Sequence, residues 1–185
     1  MPELRHLAVE GSSQTFIDLA LVAPKVLLET PVFTAGALTD LSPIARLDGL
    51  TTLRVRFGIQ LDISALASLS KLEVLYLDGK LRSVRVLSGL TRLRSLELDA
   101  PGCKTVGWVA GLSELLRFKC NGSVSDLTGI ERLAKLRVLH LYQCTAPNDA
   151  FRLIGSLDTL EELAISHPQN LHDVTWISKL RSLKV

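Results

Sequence analysis

The side chains able to do chemistry are few and scattered. Among 185 residues there are four histidines (His6, His140, His167, His172) and three cysteines (Cys103, Cys120, Cys144). His167, His172 and Asp173 could be imagined around a metal ion, as could His140, Cys144 and Cys103. Neither set has the ligand spacing of a common zinc site. Glu161 and Glu162 are neighbouring acids, but adjacent residues of a strand point to opposite faces and do not make an acid–base pair. The sequence holds no G-x-x-x-x-G-K-[ST], G-x-G-x-x-G, H-E-x-x-H or G-x-S-x-G, patterns that would cradle phosphate, bind a dinucleotide or metal, or present a nucleophile. The expectation is a protein that is no enzyme and carries neither cofactor nor metal.

What remains is recognition chemistry. Ten residues stand out: Arg54, Arg56, Tyr76, Asp78, Glu97, Asp99, Arg117, Lys119, His140 and Tyr142. An acidic spot (Asp78, Glu97, Asp99) lies between basic groups, with large amphipathic rings at Tyr76, His140 and Tyr142. Tyr and Arg are frequent interface anchors, and alternating charge sets orientation and encounter rate. These residues matter as a group only if the fold aligns them.

The alignment comes from a repeat. The stretch Ser123 to Leu141 places apolar residues at Val124, Leu127, Ile130, Leu133, Leu136, Leu139 and Leu141. Steps of three without steps of four do not make an amphipathic α-helix, and the final step of two is strand alternation. Copies of L-x-x-L-x-x-L-x-L begin at Leu47, Leu69, Leu90, Leu112, Leu133, Leu157 and Leu180, spaced 22, 21, 22, 21, 24 and 23 residues apart. A fixed period of this length marks a stacked repeat architecture. Seven residues before each start lie Asp40, Asp62, Ser83, Thr105, Asp126, Ala150 and Asp173. Six of these seven are types that cap the first turn of a helix, so a short capped 3₁₀ or α turn is expected on the outer side of each repeat. At Ala150, Asn148 and Asp149 can cap instead. In each strand the residue between the two apolar positions points away from the core. Side by side, the middle column reads Ala8, Arg54, Tyr76, Glu97, Lys119, His140, Ala164 and Lys184. The following column reads Arg56, Asp78, Asp99, Asn121, Tyr142 and Ser166. The preceding column reads Thr52, Val74, Ser95, Arg117, Val138, Glu162 and Ser182.

This pattern resembles the leucine-rich repeat family, most of all the short 22-residue class of bacterial internalins and phosphatase-regulating repeat proteins. The resemblance is close over about Leu38 to Val185 and looser before it. It implies an α/β leucine-rich repeat solenoid: a curved right-handed stack, with a parallel sheet of about eight short strands on the concave face and 3₁₀ or α turns and loops on the convex face. It also implies a non-enzymatic module that grips a protein partner on that concave face. The family usually sets an Asn three residues after the last apolar strand position. Here those positions hold Gly58, Lys80, Pro101, Ser123, Cys144 and Pro168, so the loops must satisfy their backbone by other means.

Bulk properties agree. Apolar residues make up 47% and charged residues 22%, as in a folded chain with a sizeable core. A net charge of +2 is too balanced to suggest nucleic acid or an anionic membrane as partner. No run reaches the roughly 18 apolar residues of a membrane span, and the N-terminus does not read as a secretion signal. Three cysteines, none in C-x-x-C, fit a reducing compartment, and the cytoplasm is the expected location. Cys120, at a core strand position, reads as a small hydrophobe. One domain over residues 1–185 is expected, with residues 1–37 irregular and 38–185 in regular repeats, the last incomplete. Met1, Leu4, Leu7 and Val9 fit the repeat, Ser12 to Glu29 reads as a longer outer segment in which Ser12 or Ser13 caps a helix stopped near Pro24, and a second strand falls within Val26 to Thr34 at no fixed register. Trp108 and Trp176, each four residues before a repeat start, read as outer-side packing or else a second contact patch. Neither end shows a polar cap, so Leu180 and Leu183 are expected to face solvent and the ends could self-associate. Two further roles are open: a structural or recognition fragment of a larger multidomain protein, and an immunity-type or regulatory inhibitor whose acidic spot mimics a substrate of a toxin or enzyme.

Overall fold

The spacing of three has a direct structural meaning. A 3₁₀ helix has about three residues per turn, so side chains at i and i+3 line up. The computed structural model describes residues 6–10, 30–34, 41–56, 60 and 62–184, and their helical segments are all 3₁₀. These segments are Ser42–Arg46, Ser64–Ser68, Arg85–Gly89, Gly107–Gly111, Ile130–Arg132, Asn148–Ser156 and Thr175–Lys179. The turn bonds run from one buried apolar residue to the next. Ile44 N–H donates to Leu41 C=O at 2.9 Å, Leu47 N–H to Ile44 C=O at 2.9 Å, and Leu50 N–H to Leu47 C=O at 3.0 Å. One spacing thus points side chains into the core and pairs the backbone groups that burial would otherwise strand.

The final step of two starts a strand. Eight strands are described: β1 (His6–Glu10), β2 (Thr30–Thr34), β3 (Thr52–Arg56), β4 (Val74–Asp78), β5 (Ser95–Asp99), β6 (Arg117–Asn121), β7 (Val138–Tyr142) and β8 (Glu162–Ser166). They form one parallel sheet in chain order on the concave face. Pairing keeps a constant register, as in Leu75↔Leu96, Leu96↔Phe118, Phe118↔Leu139 and Leu139↔Leu163. The repeat's apolar positions are buried from Leu47 through Leu160. No charged or polar residue is buried among the described residues.

Glycines allow the repeats to stack closely. Gly129 has φ +97°, and a Cβ there would sit 2.9 Å from the Gly107 carbonyl oxygen. At Gly122 a Cβ would come within 2.7 Å of the Ala100 carbonyl oxygen.

Several details differ from the sequence reading. The Asp and Thr before the turns do accept backbone N–H bonds, but from outside the cap position: Asp62, Thr105 and Asp173 lie one residue before it, and Asp126 lies three before the Gly129 cap. Asp62 accepts from Ser64 (2.8 Å), Thr105 from Gly107 (3.3 Å), Asp126 from Thr128 (2.9 Å) and Asp173 from Thr175 (2.8 Å). The cap positions themselves make no side-chain cap bond: Ile63 is buried in the core, and Val174 is an exposed valine. These are Asx and Ser/Thr turns that lead into four of the helices. Bonds from Ser64, Thr128 and Thr175 hold the carboxyls of Asp62, Asp126 and Asp173 below the ordinary range. Asn148 does not cap its own turn. Its Oδ1 accepts from the N–H groups of His172 (2.8 Å) and Asp173 (2.9 Å) in the next repeat.

Asn170 likewise donates to the Thr145 carbonyl at 3.0 Å, so two asparagines bridge repeats at positions off the family's usual one. Cys144 does occupy that position, buried, with Sγ 3.4 Å from the Val124 carbonyl. Strand β2 settles at Thr30–Thr34, with Pro31 and Phe33 in register with Leu7 and Val9. Leu180 is buried rather than solvent-facing, and Leu183 packs partly against the core. The helix expected between Ser12 or Ser13 and Pro24 lies outside the described residues.

Candidate partner-binding face

Alternation along each strand decides what the sheet shows. In β5, Leu96 and Leu98 are buried while Glu97 is exposed; in β6, Phe118 and Cys120 are buried while Arg117 is exposed. Parallel pairing then sets residues of successive strands side by side in register. The middle column runs Ala8, Val32, Arg54, Tyr76, Glu97, Lys119, His140, Ala164, and the next runs Thr34, Arg56, Asp78, Asp99, Asn121, Tyr142, Ser166. All ten residues singled out from the sequence fall in the three concave columns, Arg117 in the one before. Lys184 lies beyond β8 and pairs with Glu161.

The centre is a shallow depression of about 200 Å³, lined by Tyr76, Glu97, Asp99, Lys119, Asn121 and Tyr142 over a floor at Leu98. Hydrogen bonds hold its groups in place. Tyr76 Oη donates to Asp78 Oδ2 at 3.3 Å, and Asn121 Nδ2 donates to Asp99 Oδ1 at 3.1 Å. Beside it His140 Nε2 lies 2.6 Å from Glu162 Oε1, and Tyr142 Oη lies 3.4 Å from His140 Nδ1 with the rings edge to face. Asn121 and Glu162 therefore belong to the site although neither was among the ten. Their columns could have flagged them, but their bonds to Asp99 and His140 depend on side-chain reach across strands. Arg54 in β3 lies three strands from Lys119 and Arg117 in β6, so basic residues stand on both sides of the acidic residues of β4 and β5 along the sheet.

Glu161 and Glu162 part to different neighbours, Glu161 to Lys184 and Arg137, Glu162 to His140. Among the described residues no group of three or more His, Cys, Asp or Glu side chains is placed to hold a metal ion. Cys103, Cys120 and Cys144 are free and buried. A hydrogen bond to Cys103, together with burial, pushes the Cys120 thiol up, and burial pushes Cys144 up. Both are therefore protonated and poorly nucleophilic. No helix among the described residues is long and apolar enough to cross a membrane.

No protein-family model matches the sequence, and no curated protein matches it at significance. Solved structures do match. An internalin from Listeria monocytogenes superposes with a TM-score of 0.88 at 23% identity, over 98% of this chain and 53% of that one. An internalin C2 from the same bacterium gives 0.78 at 23% identity, over 96% of this chain and 78% of that one. A plant peptide hormone receptor gives 0.71 at 18% identity, over 100% of this chain and 34% of that one. The chain spans about half the length of the first internalin. Repeats in register, 3₁₀ turns on the outer side and these likenesses together establish that this chain has the leucine-rich repeat fold.

Proposed function

We propose that the chain is a non-enzymatic module that binds a protein partner on its concave face. One observation carries the reading: Tyr76, Glu97, Asp99, Lys119, Asn121 and Tyr142 converge on a single depression in the middle of the sheet. Rigid strands hold these groups, so little side-chain freedom is lost on binding. Charges of both signs select orientation, and the tyrosines supply contact area. The receptor among the structural neighbours was solved in complex with RGF2, which is consistent with a partner-gripping use of this fold. The three buried free thiols fit a reducing compartment, and we place the protein in the cytoplasm.

The test is capture from native lysate, read by mass spectrometry, with wild type against an Asp78→Lys, Asp99→Lys double variant. Circular dichroism should show both folded. A partner held by wild type and lost by the variant is expected. A partner held equally by both would remove the concave acidic spot from the interface.

A further inference from the structure

Trp108 and Trp176 occupy the same place in their repeats, yet their surroundings differ. Each indole N–H donates to the carbonyl three residues earlier, at 3.0 Å, in Thr105 and Asp173 respectively. Trp176 is 2% exposed because Phe151, from the repeat before, stacks on it at 6.5 Å with the rings 13° apart. In the Trp108 stack the residue equivalent to Phe151 is Val84. Trp108 touches Phe118 only by its edge, at 6.2 Å and 86°. Beside Trp108 an open groove of about 630 Å³ lies on the outer side, lined by Leu81, Arg82, Val84, Arg85, Lys104 and Trp108, among others.

The lining is one-sided in charge. It holds three cations and no carboxylate. Arg82, Arg85 and Lys104 are exposed. The flanking acids, Asp62 and Asp126, are turned into their own loops, where they accept from Ser64 and Thr128 N–H groups. Asp62 also feels the Arg82 charge. Beneath the cationic rim lie Val84, Leu81, the buried Ala100 and Cys103, and the Trp108 ring. No buried polar side chain reaches the floor to fix a base or a phosphate.

We propose that this groove binds an acidic peptide segment of a protein partner, one apolar side chain resting against Trp108 between carboxylates paired with Arg82, Arg85 and Lys104. It is a second contact surface, on the side opposite the concave face and independent of it.

The probe is a fluorescein-labelled heptapeptide, EEELEEE, followed by anisotropy on the whole chain at low ionic strength. Saturable binding is expected, with Trp108 shielded from acrylamide quenching. An Arg82→Glu, Arg85→Glu variant should bind about tenfold more weakly or worse, as should EEEGEEE with wild type. The Asp78→Lys, Asp99→Lys variant should bind as wild type does, which separates this surface from the concave one. No saturation at millimolar peptide would overturn the proposal. So would equal binding by the arginine variant, equal binding of the glycine peptide, or displacement of the peptide by ATP, which would assign the groove to a nucleotide.

Discussion

The two tryptophan-bearing repeats are the same motif with opposite outcomes. Around Trp176 the previous repeat supplies Phe151 from a nine-residue 3₁₀ segment, and two stacked rings close the outer side. Around Trp108 the previous repeat supplies Val84, the cap residue of the five-residue segment Arg85–Gly89, and the outer side stays open over Arg82, Arg85 and Lys104. The side chain that the previous repeat supplies, and the length of the 3₁₀ segment beside it, both differ between a buried Trp176 and a half-buried Trp108. In a stack each repeat is completed by its neighbours, so a site can arise from what a neighbour lacks.

The strongest way to break this comparison is to truncate the rings. Phe151→Ala and Trp176→Ala should each cost about 3–5 kcal/mol, as buried aromatic truncations do. Trp108→Ala should cost about 1–2 kcal/mol, since part of that ring is already wet. Denaturant melts of the three variants check this, and equal losses would make the two environments equivalent. The comparison sharpens with Val84→Phe, which supplies the missing ring. It should stabilise the fold by about 1 kcal/mol through an added aromatic pair, lower the exposure of Trp108 to acrylamide and abolish EEELEEE binding. A destabilised variant with a still-quenchable Trp108 would show that the groove is not the imprint of a missing phenyl.

The smallest expected effect lies in the turns. Asp62, Asp126 and Asp173 have carboxyls held below their ordinary range in the folded chain. Their contribution is therefore fully present above the ordinary carboxylate pKa of about 4 and fades as pH falls through the lower folded values. Asp126→Asn should flatten the acid limb of a plot of Tm against pH and leave Tm near neutrality almost unchanged. An unaltered acid limb would mean that the Thr128 bond carries no pH-dependent stability.

Much of this could be read from residues alone, for a physical reason. Steps of three and two are the periods of a 3₁₀ helix and a strand, so Leu133, Leu136, Leu139 and Leu141 declare both elements and the register follows. The concave columns hold from β3 to β8 because parallel pairing carries that register from repeat to repeat, whereas Lys184 and Ser182, expected in the same columns, lie beyond β8 beside Glu161 and Asp158. What escaped depends on two repeats at once. Pro31 and Phe33 hide a strand because neither is the leucine the pattern seeks. Asn148 looked like a cap for its own turn, yet it bonds the backbone of His172 and Asp173 one repeat on. Leu180 looked bare at an unfinished end, but it is buried. The groove beside Trp108 is an absence at Val84, which no residue in the sequence announces.

The central claim is that the partner sits on the sheet. Hydroxyl-radical footprinting of the captured complex tests it most directly, because aromatic and imidazole side chains mark both faces. Tyr76, His140 and Tyr142 should lose reactivity when the partner binds. Unchanged reactivity at Tyr76 and Tyr142, with protection only at Trp108, would contradict the account and move the interface to the outer side.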